Sequence, residues 1–249
     1  MCRPARPPTG NNEPVRPRTL ARALLATASV SATAALGACG GGDRADGADR
    51  GGTLALFEGT LPADGPAARP ADDTGAPLVA MVGDSITVGA VAGLRAAAAA
   101  SGYELVVDAE VGRRITGGPF PRSGTSAVTD LLAKAAEPDV WVVALGTNDI
   151  GKHDSADGYA RDIDTLVGLL PDDVPLVWIN VYLPGQPEES AVFNRALIDA
   201  LAARGRASIG AWTAHADDEG VLSDGVHPTD DGAARFVEVV IGQLESWLE

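Results

Sequence analysis

Ser85 is the residue of this sequence best placed to act as a nucleophile. It follows an apolar run through Gly83 and Asp84 and lies at or just before the start of a predicted helix, which does not use its backbone N–H. A serine hydroxyl attacks an ester carbonyl only when a base removes its proton. A serine here could also act only as a helix cap, so a catalytic role depends on finding the base.

The chain has three histidines that could supply this base. His227 lies three residues after Asp224 in a turn that contains glycine and proline, which lets one carboxylate reach the imidazole and hold its orientation. His215, which lies beyond the fifth predicted strand and close to other carboxylates, is the second candidate. His153 lies in a polar loop and is interpreted as a solvated side chain. The sequence therefore favours His227, with Asp224 as its partner.

Attack on an ester produces an oxyanion, which needs N–H donors about 2.7–3.1 Å away. The candidate donors are the Ser85 amide, the Gly112 amide and the Asn148 side-chain amide, each of which follows a predicted strand. Taken singly, Gly112 could be an ordinary turn glycine and Asn148 a local turn cap. A hydroxyl, an imidazole, a carboxylate and amide donors are together the groups that acyl transfer requires.

Alternating strands and helices are predicted to position these residues. Five apolar runs predict strands: Leu78 to Val82, Glu104 to Ala109, Val140 to Leu145, Leu176 to Val181 and Ala207 to Trp212. Amphipathic patterns predict helices: Val88 to Ser101, Ala127 to Ala136, Ala156 to Leu170, Glu189 to Arg204 and Asp230 to Trp247. This alternation is typical of a three-layer α/β fold in which helices cover both faces of a parallel sheet. The polar segments that follow the strands are expected to meet in one crevice.

Four blocks of the sequence resemble, in order and spacing, those of the SGNH hydrolases, also called GDSL esterases and lipases. The blocks are Gly83-Asp84-Ser85, Gly112, Gly146-Thr147-Asn148-Asp149 and Asp224-Gly225-Val226-His227-Pro228. The resemblance implies a three-layer α/β/α flavodoxin-like fold with a five-stranded parallel sheet. It implies Ser85 as nucleophile and oxyanion donor, Gly112 and Asn148 as the other donors, and His227 as the base that Asp224 orients. It also implies that no metal ion or organic cofactor is needed.

A narrower resemblance concerns the substrate. Val111-Gly112-Arg113, the block from Asp224 to Pro228 and residues 181–194 are similar to SGNH domains of cell-wall and polysaccharide O-acetyltransferases and acetylesterases. It implies a serine esterase that removes short acyl or O-acetyl groups from carbohydrates or small molecules through an acyl-enzyme on Ser85. The alternatives are an O-acyltransferase with the same site and a noncatalytic lipoprotein that binds glycan or lipid. Arg113 and Arg114 are interpreted as surface charges paired with the acidic groups of the domain, rather than as contacts to a substrate carboxylate.

Residues 1–38 have the pattern of a signal peptide. Arginines precede an uncharged, alanine-rich run that is too short for a bilayer span, which needs about 20 apolar residues. The run ends in Leu36-Gly37-Ala38-Cys39, which resembles the lipobox of bacterial lipoproteins, whose cysteine is lipidated. An ordinary signal peptide is the alternative. The expected location is the outer face of the cell membrane, through a lipid anchor on Cys39, or else the secreted fraction.

Composition excludes several classes of protein. With 34 acidic against 19 basic residues, the formal net charge is −15, which argues against a nucleic-acid partner. Two cysteines, both before residue 40, do not make a disulfide scaffold. Residues 39–75 are rich in Gly, Ala, Asp and Pro and predict a flexible linker before the SGNH domain at 76–249. The expected partners are a small-molecule or glycan ester as substrate and the membrane through the anchor, with the protein acting as a monomer.

Overall fold

The computed structural model describes residues 75–118, 120–134 and 137–248. Its strands are β1 (Leu78–Gly83), β2 (Glu104–Ala109), β3 (Val140–Ala144), β4 (Leu176–Ile179) and β5 (Ala207–Gly210). They form one parallel sheet in the order β2-β1-β3-β4-β5. The predicted signal peptide, the predicted linker up to residue 74 and Cys39 lie outside the described residues.

Helices cover both faces of this sheet. They are α1 (Ser85–Ala100), α2 (Gly124–Ala133), α3 (Ala156–Val167), α4 (Pro187–Arg204), the short α5 (Thr213–Ala216) and α6 (Asp230–Leu248). The buried residues of α1 and α6 form one core with the sheet, and those of α2, α3 and α4 form a second. The predicted three-layer α/β/α fold with a five-stranded parallel sheet is confirmed. Within the described ranges, no helix is both long enough and apolar enough to cross a bilayer.

The central strands β1, β3 and β4 are apolar on both sides because each faces two cores. In β1, Val79 and Met81 pack with α1 and α6, whereas Ala80 and Val82 pack with the helices of the opposite face. All four side chains are fully buried. A strand covered on one face would alternate apolar and polar residues, whereas one covered on both faces is a continuous apolar run. The continuous apolar runs in the sequence therefore indicate where the strands lie and also that helices cover both faces of the sheet.

The observed elements differ from the predicted ones mainly where helices begin. Helix α1 starts at Ser85 rather than at Val88 because Asp84 caps it, with Asp84 Oδ1 accepting a 3.0 Å hydrogen bond from the Ile86 N–H. Helix α2 also starts earlier than predicted, and its cap is Ser123. Strand β5 ends at Gly210, two residues before its predicted end. Ser85 is therefore the first residue of a helix and not the cap.

The strand order reverses between β1 and β3. After β2, which pairs on one side of β1, the chain crosses to pair β3 on the other side. At such a point in an open parallel sheet, the loops that leave the two strands diverge and form a crevice. Ser85 follows β1, and a 3-10 turn at Thr147–Asp149 follows β3. The sheet therefore places the predicted nucleophile and the Asn148 block on neighbouring strands.

Candidate active site

Ser85, His227 and Asp224 form a continuous chain of hydrogen bonds. Ser85 Oγ lies 3.1 Å from His227 Nε2, although the two residues are 142 positions apart in the sequence. His227 Nδ1 lies 2.9 Å from Asp224 Oδ2. These distances are in the range that a nucleophile, its base and the group that orients the base require. The structure thus brings together the three residues predicted from the sequence.

The turn that carries His227 holds its own side chains in place. Asp224 Oδ1 accepts hydrogen bonds from the N–H groups of Val226 at 3.0 Å and His227 at 2.8 Å. The other carboxylate oxygen, Oδ2, faces the imidazole. The backbone hydrogen bond from His227, followed by the bond from its side chain, lowers the pKa of Asp224 to about 2. A negative charge therefore faces the imidazole at neutral pH.

The three predicted oxyanion donors follow three different strands. Ser85 is the first residue of α1, so its N–H has no acceptor within the helix. Gly112 has a φ of 75°, a left-handed conformation that glycine adopts without strain. Asn148 Nδ2 donates to the Arg113 carbonyl at 3.0 Å and reaches Asp84 Oδ2 only at 3.4 Å. The amide nitrogen carries two hydrogens, and the long contact to Asp84 is the one that an oxyanion could replace while the bond to the Arg113 carbonyl is kept.

Asp84 is buried next to the predicted nucleophile, and no role was predicted for it from the sequence. Its side chain caps α1 and contacts Asn148, so it touches two of the segments that carry candidate donors. Burial raises the pKa of Asp84 to about 7, although hydrogen bonds from the Ile86 N–H and the Thr147 side chain oppose this change. Its place directly after an apolar strand was the available signal, because a capping residue is needed there.

Asp149 is a second buried carboxylate in the same region. Its Oδ2 accepts a 3.1 Å hydrogen bond from the Ile115 N–H, and its Oδ1 accepts one from Arg114 Nε at 3.3 Å. Burial raises the pKa of Asp149 to about 6, although the Ile115 N–H and Arg114 oppose this change. Asp149 therefore fastens the loop after Gly112 to the turn that carries Asn148.

Arg113 is buried, so its interpretation as a surface charge was wrong. Its side chain is only 1% exposed, because carbonyl groups and the Asp108 carboxylate surround the guanidinium and accept its hydrogen bonds. Arg114 is partly exposed and pairs with Asp149, which agrees with the predicted pairing to acidic groups. The two adjacent arginines therefore have different environments, which the sequence pattern could not distinguish.

The other two histidines make no hydrogen bond to Ser85 among the described residues. His153 Nε2 lies 2.7 Å from Asp162 Oδ2, and its ring packs edge-on against Tyr159, so the interpretation of His153 as a solvated side chain was wrong. His215 lies in α5. In the part of the chain that the structure covers, no group of three or more His, Cys, Asp or Glu residues is arranged to hold a metal ion.

A parallel sheet covered on both faces, with a serine, a histidine and an aspartate joined by hydrogen bonds, agrees with the SGNH-type hydrolase that the sequence blocks predicted. Residues 81–235 match the model of the GDSL-like lipase/acylhydrolase family. The chain belongs to this family, as the four sequence blocks predicted.

Solved structures share the fold at low sequence identity. TesA is 21% identical, with a TM-score of 0.55, over 68% of this chain and 98% of that chain. The C-terminal catalytic domain of peptidoglycan O-acetyltransferase A from Streptococcus pneumoniae is 20% identical, with a TM-score of 0.54, over 68% and 93%. The psychrotrophic esterase EstA from Pseudoalteromonas sp. is 14% identical, with a TM-score of 0.53, over 69% and 98%. A search of curated proteins gave no match.

Proposed function

We propose that this protein is a serine esterase that hydrolyses short-chain acyl esters, such as O-acetyl groups on carbohydrates or small molecules. The observation that carries the proposal is the chain of hydrogen bonds from Ser85 through His227 to Asp224. Membership in the GDSL-like lipase/acylhydrolase family supports ester chemistry at this site. Ser85 would hold the acyl group as a covalent intermediate.

In the proposed reaction, His227 Nε2 takes the Ser85 proton while Ser85 Oγ bonds to the ester carbonyl carbon. The oxyanion is held by the N–H groups of Ser85 and Gly112 and by the Asn148 amide, while Asp224 stabilises the imidazolium. The imidazolium then gives its proton to the alcohol oxygen, and the bond between that oxygen and the acyl carbon breaks. Water, deprotonated by His227, attacks the acyl carbon. The bond between that carbon and Ser85 Oγ then breaks, His227 returns the proton to Ser85 Oγ, and the acid leaves.

The openness of the site supports a carbohydrate ester as the substrate. The side chains of Asp224 and His227 are 57% and 47% exposed, which leaves space for a bulky alcohol portion. A β-carbon at Gly112 would lie 3.6 Å from the Pro121 ring. Phe120, the residue before Pro121, is 91% exposed. We propose that the exposed Phe120 ring contacts the apolar face of a sugar ring in the substrate.

The same openness favours an O-acyltransferase as the second candidate. An acceptor hydroxyl could reach the acyl carbon on Ser85 in place of water, with His227 again taking the proton. The shared fold with the catalytic domain of peptidoglycan O-acetyltransferase A supports this possibility. Hydrolysis and transfer would then differ only in which hydroxyl attacks.

An ester panel combined with an active-site probe tests the proposal. The panel runs from acetyl to long-chain esters and includes acetylated sugars, and we expect the acetyl esters to give the highest kcat/KM. A fluorophosphonate probe should label the parent protein and not the Ser85→Ala variant. Acylated product in the presence of a glycan acceptor would identify a transferase. A parent protein that neither reacts with the probe nor turns over any ester would refute the proposal and favour the noncatalytic binder.

Gly232 lies in the first turn of α6, where that helix packs closely against the segment that carries the acid–base pair. A β-carbon at Gly232 would lie 2.1 Å from the backbone oxygen of Val221, a residue next to the bridge between Leu222 and Pro228. Gly232→Ala is therefore expected to displace this segment and to lower kcat/KM for a short-chain ester by about tenfold or more, because a shift of about 1 Å can cost about 100-fold. Steady-state kinetics and thermal unfolding measure the effect.

Gly242→Ala is the matched control, because Gly242 lies on the same helix and a β-carbon there would meet nothing within 4 Å. We expect it to stabilise the helix by up to about 1 kcal/mol and to leave kcat/KM unchanged. Equal kinetic effects of the two substitutions would show that Gly232 does not hold the acid–base segment.

We further propose that the protein is exported and held at the outer face of the membrane by a lipid on Cys39, where it acts as a monomer. The lipobox-like sequence Leu36 to Cys39 supports this location. Cells fed an alkynyl fatty acid should label the parent protein and a Cys2→Ser control in the membrane fraction. Cys39→Ser should be unlabelled. An unlabelled parent in the soluble fraction would indicate an ordinary signal peptide instead.

A further inference from the structure

Arg113 is buried directly after the predicted oxyanion glycine, and the mechanism above gives it no part. Its side chain is 1% exposed. Burial of a guanidinium costs several kcal/mol unless its N–H groups find well-placed acceptors. The groups that accept hydrogen bonds from Arg113 therefore identify the segments of the protein that this side chain connects.

All three guanidinium nitrogens of Arg113 have acceptors. Nε donates to the Arg122 carbonyl at 3.0 Å, and Nη1 donates to the carbonyls of Asp108 at 2.5 Å and Gly83 at 3.3 Å. Nη2 donates to the Asp108 carboxylate at 2.7 Å and reaches that of Glu110 at 3.4 Å. Although burial opposes the change, the guanidinium groups of Arg113 and Arg122 hold the pKa of Asp108 below its usual value. The buried cation thus faces an ionised partner.

These contacts join the segments that carry all three oxyanion donors. Gly83 ends β1, two residues before Ser85, and its carbonyl accepts from the Arg113 guanidinium. Gly112 is the residue that precedes Arg113, so the anchored side chain also fixes the loop that presents the Gly112 N–H. The Arg113 carbonyl accepts the Asn148 amide at 3.0 Å. One residue therefore links the Ser85, Gly112 and Asn148 donors.

We propose that Arg113 is a positioning residue that sets the spacing of the oxyanion donors before the substrate binds. The inference rests on the esterase function proposed above. Donors stabilise an oxyanion only when they are aligned in advance, and loss of one donor typically costs about 10²–10³ in rate. Loss of alignment acts on the transition state more than on the bound ester, so it lowers kcat and leaves KM nearly unchanged.

The test compares Arg113→Lys with Arg195→Lys in the full-length protein. Arg195 lies exposed on α4, where it pairs with Asp199, and its substitution is the control. Lysine keeps the positive charge but lacks the planar fork that reaches several acceptors at once. For a short-chain ester, Arg113→Lys should lower kcat by about 100-fold with little change in KM, whereas Arg195→Lys should keep both parental values. An Arg113→Lys protein with parental kcat would overturn the inference.

Chemical rescue separates positioning from a general loss of folding. Guanidinium ion at millimolar concentration should restore part of the kcat of Arg113→Ala, because it can occupy the vacated site and make the same hydrogen bonds. Methylammonium, which has the charge without the planar fork, should not restore it. Thermal unfolding in the same buffers reports the folded fraction. A kcat loss that follows the unfolded fraction and is not restored by guanidinium would overturn the inference.

The side-chain amide of Asn148 provides a readout that does not need turnover. In NMR spectra, Arg113→Lys should change its chemical shift and speed its hydrogen exchange, because the carbonyl that accepts its hydrogen bond moves. Arg195→Lys should leave both unchanged. If the parent protein hydrolyses no ester, the proposed function fails, and this signal still decides the question: an Asn148 amide that is the same in Arg113→Lys would show that Arg113 does not position it.

Discussion

His227→Ala is expected to lower kcat/KM for a short-chain ester by about 10⁴-fold or more while the protein stays folded. Without the imidazole, Ser85 loses the group that accepts its proton, and a neutral hydroxyl is a weak nucleophile. Removing the base from a site of this type costs up to about 10⁶ in kcat, and the residual rate comes from the oxyanion hole and substrate binding. Steady-state kinetics and circular dichroism measure the two parts of this prediction.

The remaining histidines provide matched controls for this substitution. His215→Ala, in α5, should keep parental kinetics. His153→Ala should lose the hydrogen bond to Asp162 and lower the free energy of unfolding by about 1 kcal/mol, with parental kcat. If His215→Ala abolishes turnover and His227→Ala does not, the base has been assigned to the wrong residue.

Asp84→Asn is expected to stabilise the fold more at pH 8 than at pH 4, by about 4 kcal/mol. Burial raises the pKa of Asp84 to about 7 in the folded protein, whereas an aspartate in the unfolded chain has a pKa of about 3.9. Between these values the unfolded state binds fewer protons than the folded state. Asp84 therefore makes stability fall as the pH rises from about 4 to about 7, and the neutral asparagine removes this fall. A difference of about three pKa units gives the stated size.

Urea unfolding of the parent and the Asp84→Asn variant between pH 4 and pH 8 measures this effect. Asparagine keeps an oxygen that can accept the Ile86 N–H, so the cap of α1 should survive the substitution. Asp149→Asn is the companion variant. Burial raises the pKa of Asp149 to about 6, so the variant's gain in free energy of unfolding over the parent should stop increasing near pH 6. A difference between the Asp84→Asn variant and the parent that is constant across this pH range would exclude a buried acid of raised pKa.

The sequence was sufficient to predict the sheet and the contact between Ser85 and His227. Both predictions rest on general rules: strands buried on two faces are continuous apolar runs, and the carboxyl ends of parallel strands share one edge. Polar residues that follow such runs are therefore expected at one edge of the sheet. His227 lies well beyond the end of β5, and it was selected by its spacing to Asp224 and by the family resemblance. Asp224 and His227 are only three residues apart, so their contact depends on local backbone geometry, which can be predicted from sequence.

The environments of Arg113 and Asp84 could not be predicted in the same way. Burial of Arg113 depends on carbonyl groups of Gly83 and Arg122, and every residue type carries a carbonyl, so no pattern of side chains marks it. The cap by Asp84 depends on where α1 begins, and an apolar pattern locates a helix start only to within a few residues. Both the burial of Arg113 and the capping role of Asp84 depend on which groups lie close together in the folded protein, rather than on residue type.

The turn from Asp224 to His227 completes its own hydrogen bonds without help from the sheet. An ionised carboxylate can only accept, so the ring nitrogen that faces Asp224 carries the proton, and the opposite nitrogen keeps its lone pair for Ser85. The tautomer of His227 is therefore chosen by a neighbour within the same turn. If this segment swings away from Ser85 and returns, it brings back an imidazole with its proton on Nδ1 and its lone pair on Nε2, the tautomer that accepts the Ser85 proton.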